Sequence, residues 1–257
     1  MFADIPGARI WYEDTGGHGA AVVLLHAGTG STLMWERQLP ALREAGLRAI
    51  AYDRRGHGRT ESESCDVPAV DDLRGLANRL GLTRFHLVGT AAGGIVAFDF
   101  ALSHPDRLLT LTVANSIGGM QDEEYLALQR RLRPSPQFDA LPAEVRELGP
   151  AYRAADSEGT RRWIELEHAS RRAGAKKQPP RNTLKFAALE AIRVPTLLIT
   201  GDADLYTPPP VLELFRRRIA GSTSVVLQNC GHSAYWEQAE VFNSTLLDFL
   251  SGAARSP

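Results

Sequence analysis

Apolar runs of six to eight residues, rich in Val, Leu and Ile, recur along this chain with helix-like stretches between them. That alternation leaves few folds open. The run AVVLLH (21–26) is continuously apolar, as a strand buried on both faces must be, and a parallel central sheet is its natural host. Further strands are expected at LRAIAYD (47–53), RFHLVGT (84–90), LLTLTVAN (108–115), PTLLITG (195–201) and STSVVLQ (222–228). Helices are expected around 32–45, 69–80, 92–103, 209–219 and 235–251. Strands alternating with helices imply right-handed crossovers and a doubly wound, mostly parallel α/β sheet. Ahead of it, ARIWYED after the turn Pro6-Gly7 alternates like a half-exposed strand and predicts an N-terminal antiparallel hairpin.

The pattern breaks between 117 and 190. This stretch is rich in Arg, Glu, Ala and Leu, is interrupted by RPSP and KKQPPR, and holds no convincing strand. We expect a helical insertion at 117–190, with the core formed by 1–116 and 191–257. Its dense mixed charge describes solvated helix faces, and its inner face is a candidate cover for a pocket. At 257 residues the chain suits one sizeable core. The formal charge of −1, with 44% hydrophobic and 23% charged residues, offers no electrostatic pull toward nucleic acid or membrane. No stretch has the features of a signal peptide or a membrane span. Cys65 and Cys230 lack metal-ligand spacing, so free thiols in the cytoplasm are the expectation, with a disulfide left open. Oligomeric state is not legible.

The stretch LVGTAAGGIVAF (87–98) reads as a strand, a Gly-rich corner and a helix start. A G-x-Nuc-x-G corner needs glycines where a side chain would strike the neighbouring strand and helix, and it lifts the central side chain above the sheet. Here Gly89 and Gly93 flank Ala91, so the corner is present and the nucleophile is absent. Three other stretches stand in an informative order. HAGTGS (26–31) follows a strand and offers the Gly28 N–H as a partner for the Ala92 N–H in an oxyanion hole. GDADLYTPP (201–209) leaves a strand end with two acids, and NCGHSAYWEQ (229–238) places His232 in a loop before the last helix. A carboxylate that orients a histidine, which deprotonates a nucleophile, is what acyl transfer requires. DRRGHGRT (53–60) is read as a structural turn, its His57 without an evident partner.

With these motifs in this order, the chain resembles the α/β-hydrolase family over nearly its whole length, the helical insertion matching the family's cap. The resemblance implies the order nucleophile, acid, histidine: position 91, then Asp204, selected by the strand-end pattern G-x-x-D-x-x-x-P from Gly201 to Pro208, then His232. Asp202 is the weaker candidate. The segments CGHSAYWEQAEVFN and HAGTGSTLMW look similar to the branch of ring-cleavage-product hydrolases, enol-lactonases and small carboxylesterases. Ser233 departs from that branch, which often has tryptophan directly after the histidine. The implied substrate is a small-molecule ester or lactone, and the chemistry needs no metal or organic cofactor. Thr29, Trp35 and Trp163 are candidate substrate contacts, the two tryptophans as an aromatic wall.

Ala91 cannot attack a carbonyl, and neither Thr90, Thr29 nor Ser233 is well placed to replace it. Two accounts compete. In one the chain is a Ser-to-Ala variant of a working hydrolase, made so that substrate binds without turnover. In the other the protein naturally carries alanine and uses His232 for lyase or proton-transfer chemistry, or only binds a ligand. The first is favoured, because a relative freed from hydrolysis has no chemical need for the other hydrolytic parts.

Overall fold

The computed structural model describes residues 1–170 and 177–253. Nine strands, counted among the described residues, form one sheet: β1 (Phe2–Ile5), β2 (Ala8–Asp14), β3 (Ala21–Leu25), β4 (Arg48–Tyr52), β5 (Glu61–Ser62), β6 (Phe85–Thr90), β7 (Leu108–Ala114), β8 (Thr196–Gly201) and β9 (Thr223–Leu227). Their order is β1-β2-β4-β3-β6-β7-β8-β9, with β5 pairing β2. β1, β2 and β5 pair antiparallel, β2 joins β4 antiparallel, and every pairing from β4 to β9 is parallel.

The expected alternation is present, with strands shortened by a residue or two at their ends. The helices are α1 (Gln38–Glu44), α2 (Ala69–Arg79), α3 (Ala92–Ser103), α4 (Glu123–Leu132), α5 (Ala143–Glu147), α6 (Pro150–Ala155), α7 (Ser157–Ser170), α8 (Phe186–Leu189), α9 (Pro209–Arg216), α10 (Ala234–Glu237) and α11 (Ala239–Ala253). Two expected helices are divided. The stretch 32–45 is a 3-10 turn at Thr32–Trp35 followed by α1, and 235–251 is α10 and α11.

Strand periodicity feeds two core layers. On β3, Val23 and Leu25 join the layer containing Leu73 of α2, Phe98 of α3 and Phe215 of α9; Val22 and Leu24 join the layer containing Leu42 of α1 and Phe242 of α11. A side chain fully removed from water contributes roughly 1.5–3 kcal/mol, so a strand supplying both layers is anchored from both sides. From β3 the chain first builds outward to β4, then returns past β3 to β6. The carboxyl ends of β3 and β6 therefore flank a topological switch point, where open α/β sheets leave a crevice.

Between β7 and β8 the described residues contain α4 to α8 and no strand. Residues 171–176, including Lys176 of the expected KKQPPR break, lie outside the described residues. Asp99 of α3 fastens the return of this segment, accepting from Arg181 N at 2.7 Å and Asn182 Nδ2 at 2.7 Å. Near its middle, Glu237 accepts from Gly149 N at 2.9 Å and Gly231 N at 2.8 Å, tying the segment between α5 and α6 to the loop after β9.

Candidate active site

The corner after β6 is tight for a steric reason. A Cβ on Gly89 would lie 2.4 Å from Gly93 O, and one on Gly93 would lie 2.2 Å from Leu25 O. Only glycine lets α3 start this close to β3 and β6. Between them Ala91 has φ +48° and ψ −114°, outside the left-handed helical well and unfavourable for any residue with a Cβ. The strain is held by neighbours. Ala91 N donates to Ala114 O at 2.9 Å, and Ala91 O accepts from Ser116 Oγ at 2.6 Å and from Gly94 N at 3.1 Å.

Gly28 enters from the carboxyl end of β3. A Cβ built on it would be 3.6 Å from the Ala92 Cβ, so the two residues expected to form an oxyanion hole are neighbours. Among the described residues neither N–H has a hydrogen-bond acceptor. The loop is braced from behind by His57, which the sequence left without a partner. Its Nε2 is 3.2 Å from Gly28 O, its Nδ1 3.1 Å from Arg55 O, and its ring packs on His26 at 4.8 Å. Burial first, then the nearby Arg54 charge, lowers the His57 pKa to about 4. A neutral ring with one N–H is therefore the form that bonds this loop.

Asp204 and His232 meet beyond the ends of β8 and β9. His232 Nδ1 is 2.9 Å from each Asp204 carboxylate oxygen, whereas Asp202 turns away and accepts from Cys230 N at 3.2 Å. Asp204 Oδ1 also accepts from Tyr206 N at 2.7 Å and Thr207 N at 3.0 Å; Oδ2 accepts from Thr207 Oγ1 at 2.7 Å and Asn115 Nδ2 at 3.0 Å. Burial works to raise the Asp204 pKa, but the facing His232 charge and these donors outweigh it and hold the carboxyl far below its usual range. Burial likewise works to lower the His232 pKa, and the charge and hydrogen bond of Asp204, with the Glu147 charge, outweigh it and raise it. Donation from Nδ1–H to Asp204 leaves Nε2 as the nitrogen free to take a proton.

What Nε2 faces was not foreseen from sequence. Glu147, the last residue of α5, places Oε2 4.0 Å from His232 Nε2, with only 8% of its side chain exposed. Its backbone carbonyl accepts from His232 N at 2.9 Å. Burial pushes the Glu147 carboxyl above its usual pKa; His232 opposes the rise and Asp204 adds to it. Tyr206 completes the surround, its ring 4.3 Å from that of His232 and its hydroxyl 3.4 Å from Arg146 Nη1. The Arg133 guanidinium lies over the Tyr206 ring, 5.0 Å from its centre.

The sequence pattern of the alpha/beta hydrolase family matches residues 22–245, from β3 into the first half of α11. The chain belongs to the alpha/beta hydrolase family. Among the family's curated members it is 31% identical to a 2-hydroxy-6-oxononadienedioate/2-hydroxy-6-oxononatrienedioate hydrolase of Burkholderia vietnamiensis, over 94% of this chain and 91% of that protein. It is 32% identical to a putative carbamate hydrolase, RutD, of Variovorax paradoxus, over 93% of this chain and 95% of that protein. Among solved structures, a thermophilic esterase from Thermogutta terrifontis superposes with a TM-score of 0.79 at 28% identity, covering 98% of this chain and 97% of that one.

Within this family fold the three tentative substrate contacts part company. Trp35 and Trp163 are fully buried in the layer shared with α11, Trp35 packing against Tyr235 at 5.0 Å. With no accessible surface, they pack the core and do not form the expected aromatic wall. Thr29 is half-buried beside Gly28, and its Oγ1 has no hydrogen-bond partner among the described residues. Asn115 and Thr207, which hold Asp204, carry a faint sequence signal at most. Asn115 follows a strand at φ +50°, a conformation Asn tolerates, but nothing in its neighbourhood announces a carboxylate 89 positions later.

Proposed function

We propose that this chain carries the site of a small-molecule carboxylic ester or lactone hydrolase in which Ala91 occupies the nucleophile position. The substrate carbonyl oxygen lies on the N–H groups of Gly28 and Ala92, beneath a cap formed by 117–190. With a serine at position 91, its hydroxyl attacks the carbonyl carbon while His232 Nε2 takes its proton, Asp204 stabilises the imidazolium, and the two N–H groups stabilise the oxyanion. Water then releases the acid, its proton again passing through His232. As it stands the chain has no hydroxyl at that point, and the acyl-enzyme route is closed. The single observation that carries this reading is the retained strain at Ala91, φ +48° and ψ −114°, beside a fully built Asp204–His232 pair. A corner that holds its central residue at a cost on the order of 1–3 kcal/mol supports a position shaped to present a nucleophile, whichever side chain now occupies it.

The test is Ala91→Ser followed by assay against activated esters and lactones. A gain on members of this panel supports the reading, and no gain on any of them defeats it. A second reading, in which the alanine is native and His232 works without a covalent intermediate, is favoured by the Glu147 carboxylate 4.0 Å from Nε2. It predicts turnover by the Ala91 chain that His232→Ala abolishes. The relatives' names bear on substrate class: a carbon–carbon hydrolase, a putative carbamate hydrolase and an esterase share attack at a carbonyl carbon, and the ester and lactone class is common ground for testing.

A further inference from the structure

Glu147 is an expensive residue to keep where it is. Burying a carboxylate is costly unless partners replace its water; besides Tyr206, whose side chain bonds it and works to lower its pKa, its facing partner, His232 Nε2, stands at 4.0 Å, beyond hydrogen-bond reach. Nor is the carboxylate needed to fasten α5 to the histidine loop. The Glu147 carbonyl already does so through His232 N at 2.9 Å, and Glu237 ties Gly149 to Gly231.

The gap has a chemical meaning. Two acceptors 4.0 Å apart, each about 2.8 Å from a shared oxygen, subtend an angle of about 90° there, close to the angle between the two O–H bonds of water. Neutral His232, with Nδ1–H given to Asp204, accepts at Nε2, and the Glu147 carboxylate accepts at Oε2. A water donating to both has its lone pairs directed away from the pair, free for attack. Both side chains are almost wholly buried, with 5% of His232 and 8% of Glu147 exposed, so a water held between them is shielded from bulk solvent. At the elbow, Ala91 carries a methyl and no hydroxyl, so position 91 offers Nε2 no proton to take.

We propose that Glu147 is a catalytic group of this chain: with His232 it holds and activates one water that attacks a small ester directly, giving a serine-free hydrolytic route. It rests on the reading above that an ester carbonyl lies on Gly28 and Ala92. The water oxygen bonds to the carbonyl carbon as its proton passes to His232 Nε2, and the carbonyl electron pair moves to the oxyanion held by the two N–H groups. Collapse breaks the ester C–O bond, and the His232 proton goes to the departing alkoxide oxygen, leaving acid and alcohol. Glu147 orients the water through its second O–H and is unchanged at the end. No covalent intermediate forms.

The experiment uses p-nitrophenyl acetate and butyrate with the full chain, its E147Q and H232Q variants, the A91S protein and the A91S/E147Q double variant. The parent chain is expected to hydrolyse these esters above the buffer rate without a burst, and E147Q and H232Q each to lose on the order of 10²-fold. In the A91S background, where the serine hydroxyl takes the place of the water, E147Q is expected to slow fluorophosphonate labelling at least tenfold less than it slows ester hydrolysis by the parent, the remaining effect coming from the lost Glu147 charge beside His232; labelling also reports an intact site. The proposal is overturned if E147Q matches the parent, if E147Q slows both backgrounds alike, or if only A91S exceeds the buffer rate. If A91S neither hydrolyses nor labels, the ester-site reading fails and the proposal with it.

Discussion

Replacing Ala91 by glycine is expected to stabilise the protein, although an alanine-to-glycine change in a helix ordinarily does the reverse. Ala91 holds φ +48° and ψ −114°, and a residue with a Cβ in such a region carries strain of about 1–3 kcal/mol. Glycine removes that strain and adds unfolded-state entropy worth about 0.4–1 kcal/mol. It also forfeits part of one half-buried methyl, at most about 0.8 kcal/mol when fully buried. Taking the middle of each range, Ala91→Gly gains about 1 kcal/mol, or a rise of roughly 3 °C in Tm for a chain of this size. Ala97→Gly, fully buried and in regular helix α3, is the control and is expected to lose about 2 kcal/mol. Thermal and urea unfolding measured on both variants decide the matter. A loss at position 91 matching that at 97 would refute the argument that the corner stores strain.

Other consequences are open to measurement. Because the Asp204 charge raises the His232 pKa against the effect of burial, Asp204→Asn should shift the acid inflection of ester hydrolysis by the A91S protein to lower pH while reducing its plateau rate; an unmoved inflection contradicts the assigned coupling. The same pair sets a stability window. The depressed Asp204 carboxyl contributes above its ordinary value near ~4 and less as pH falls through its folded value, while the raised His232 contributes below ~6.5 and less as pH rises through its folded value. Tm measured across pH should therefore lose, in the Asp204→Asn protein, a contribution that is largest between about pH 4 and 6.5. Glu237→Ala leaves the N–H groups of Gly149, Gly231 and Ser233 without their acceptor and is expected to cost at least about 3 kcal/mol in chemical denaturation; a loss under about 1 kcal/mol contradicts the clip between the insertion and the histidine loop.

The sheet was legible because its signals are local. Continuously apolar runs such as AVVLL and the glycine spacing at 89 and 93 depend only on neighbouring residues and backbone sterics. Asp204 was distinguishable from Asp202 only through the resemblance, whose strand-end pattern runs from Gly201 to Pro208, and the structure brings Asp204 and not Asp202 to His232. Glu147 was not legible. It lies in a charge-rich stretch where glutamates are abundant, and only the folding of α5 onto the loop after β9 distinguishes it from the partly buried Glu144 one turn earlier. Trp35 and Trp163 misled for the converse reason: a large aromatic carries the same sequence signal in a pocket wall as in a core layer, and packing against Tyr235 and α11 made them core. His57 gained its partner, Gly28 O, only when β3 and the loop after β4 were laid side by side in the sheet.

The account's central claim is that position 91 is the apex of a site whose other parts are ready to act. Its most direct measurement is intact-mass and peptide analysis of the A91S protein after treatment with a fluorophosphonate. The account predicts one adduct per chain, on the peptide carrying position 91, formed quickly and lost when His232→Gln is added, with ester turnover at least ~10³-fold above the parent. An unlabelled A91S protein, or one labelled equally fast without His232, would contradict it.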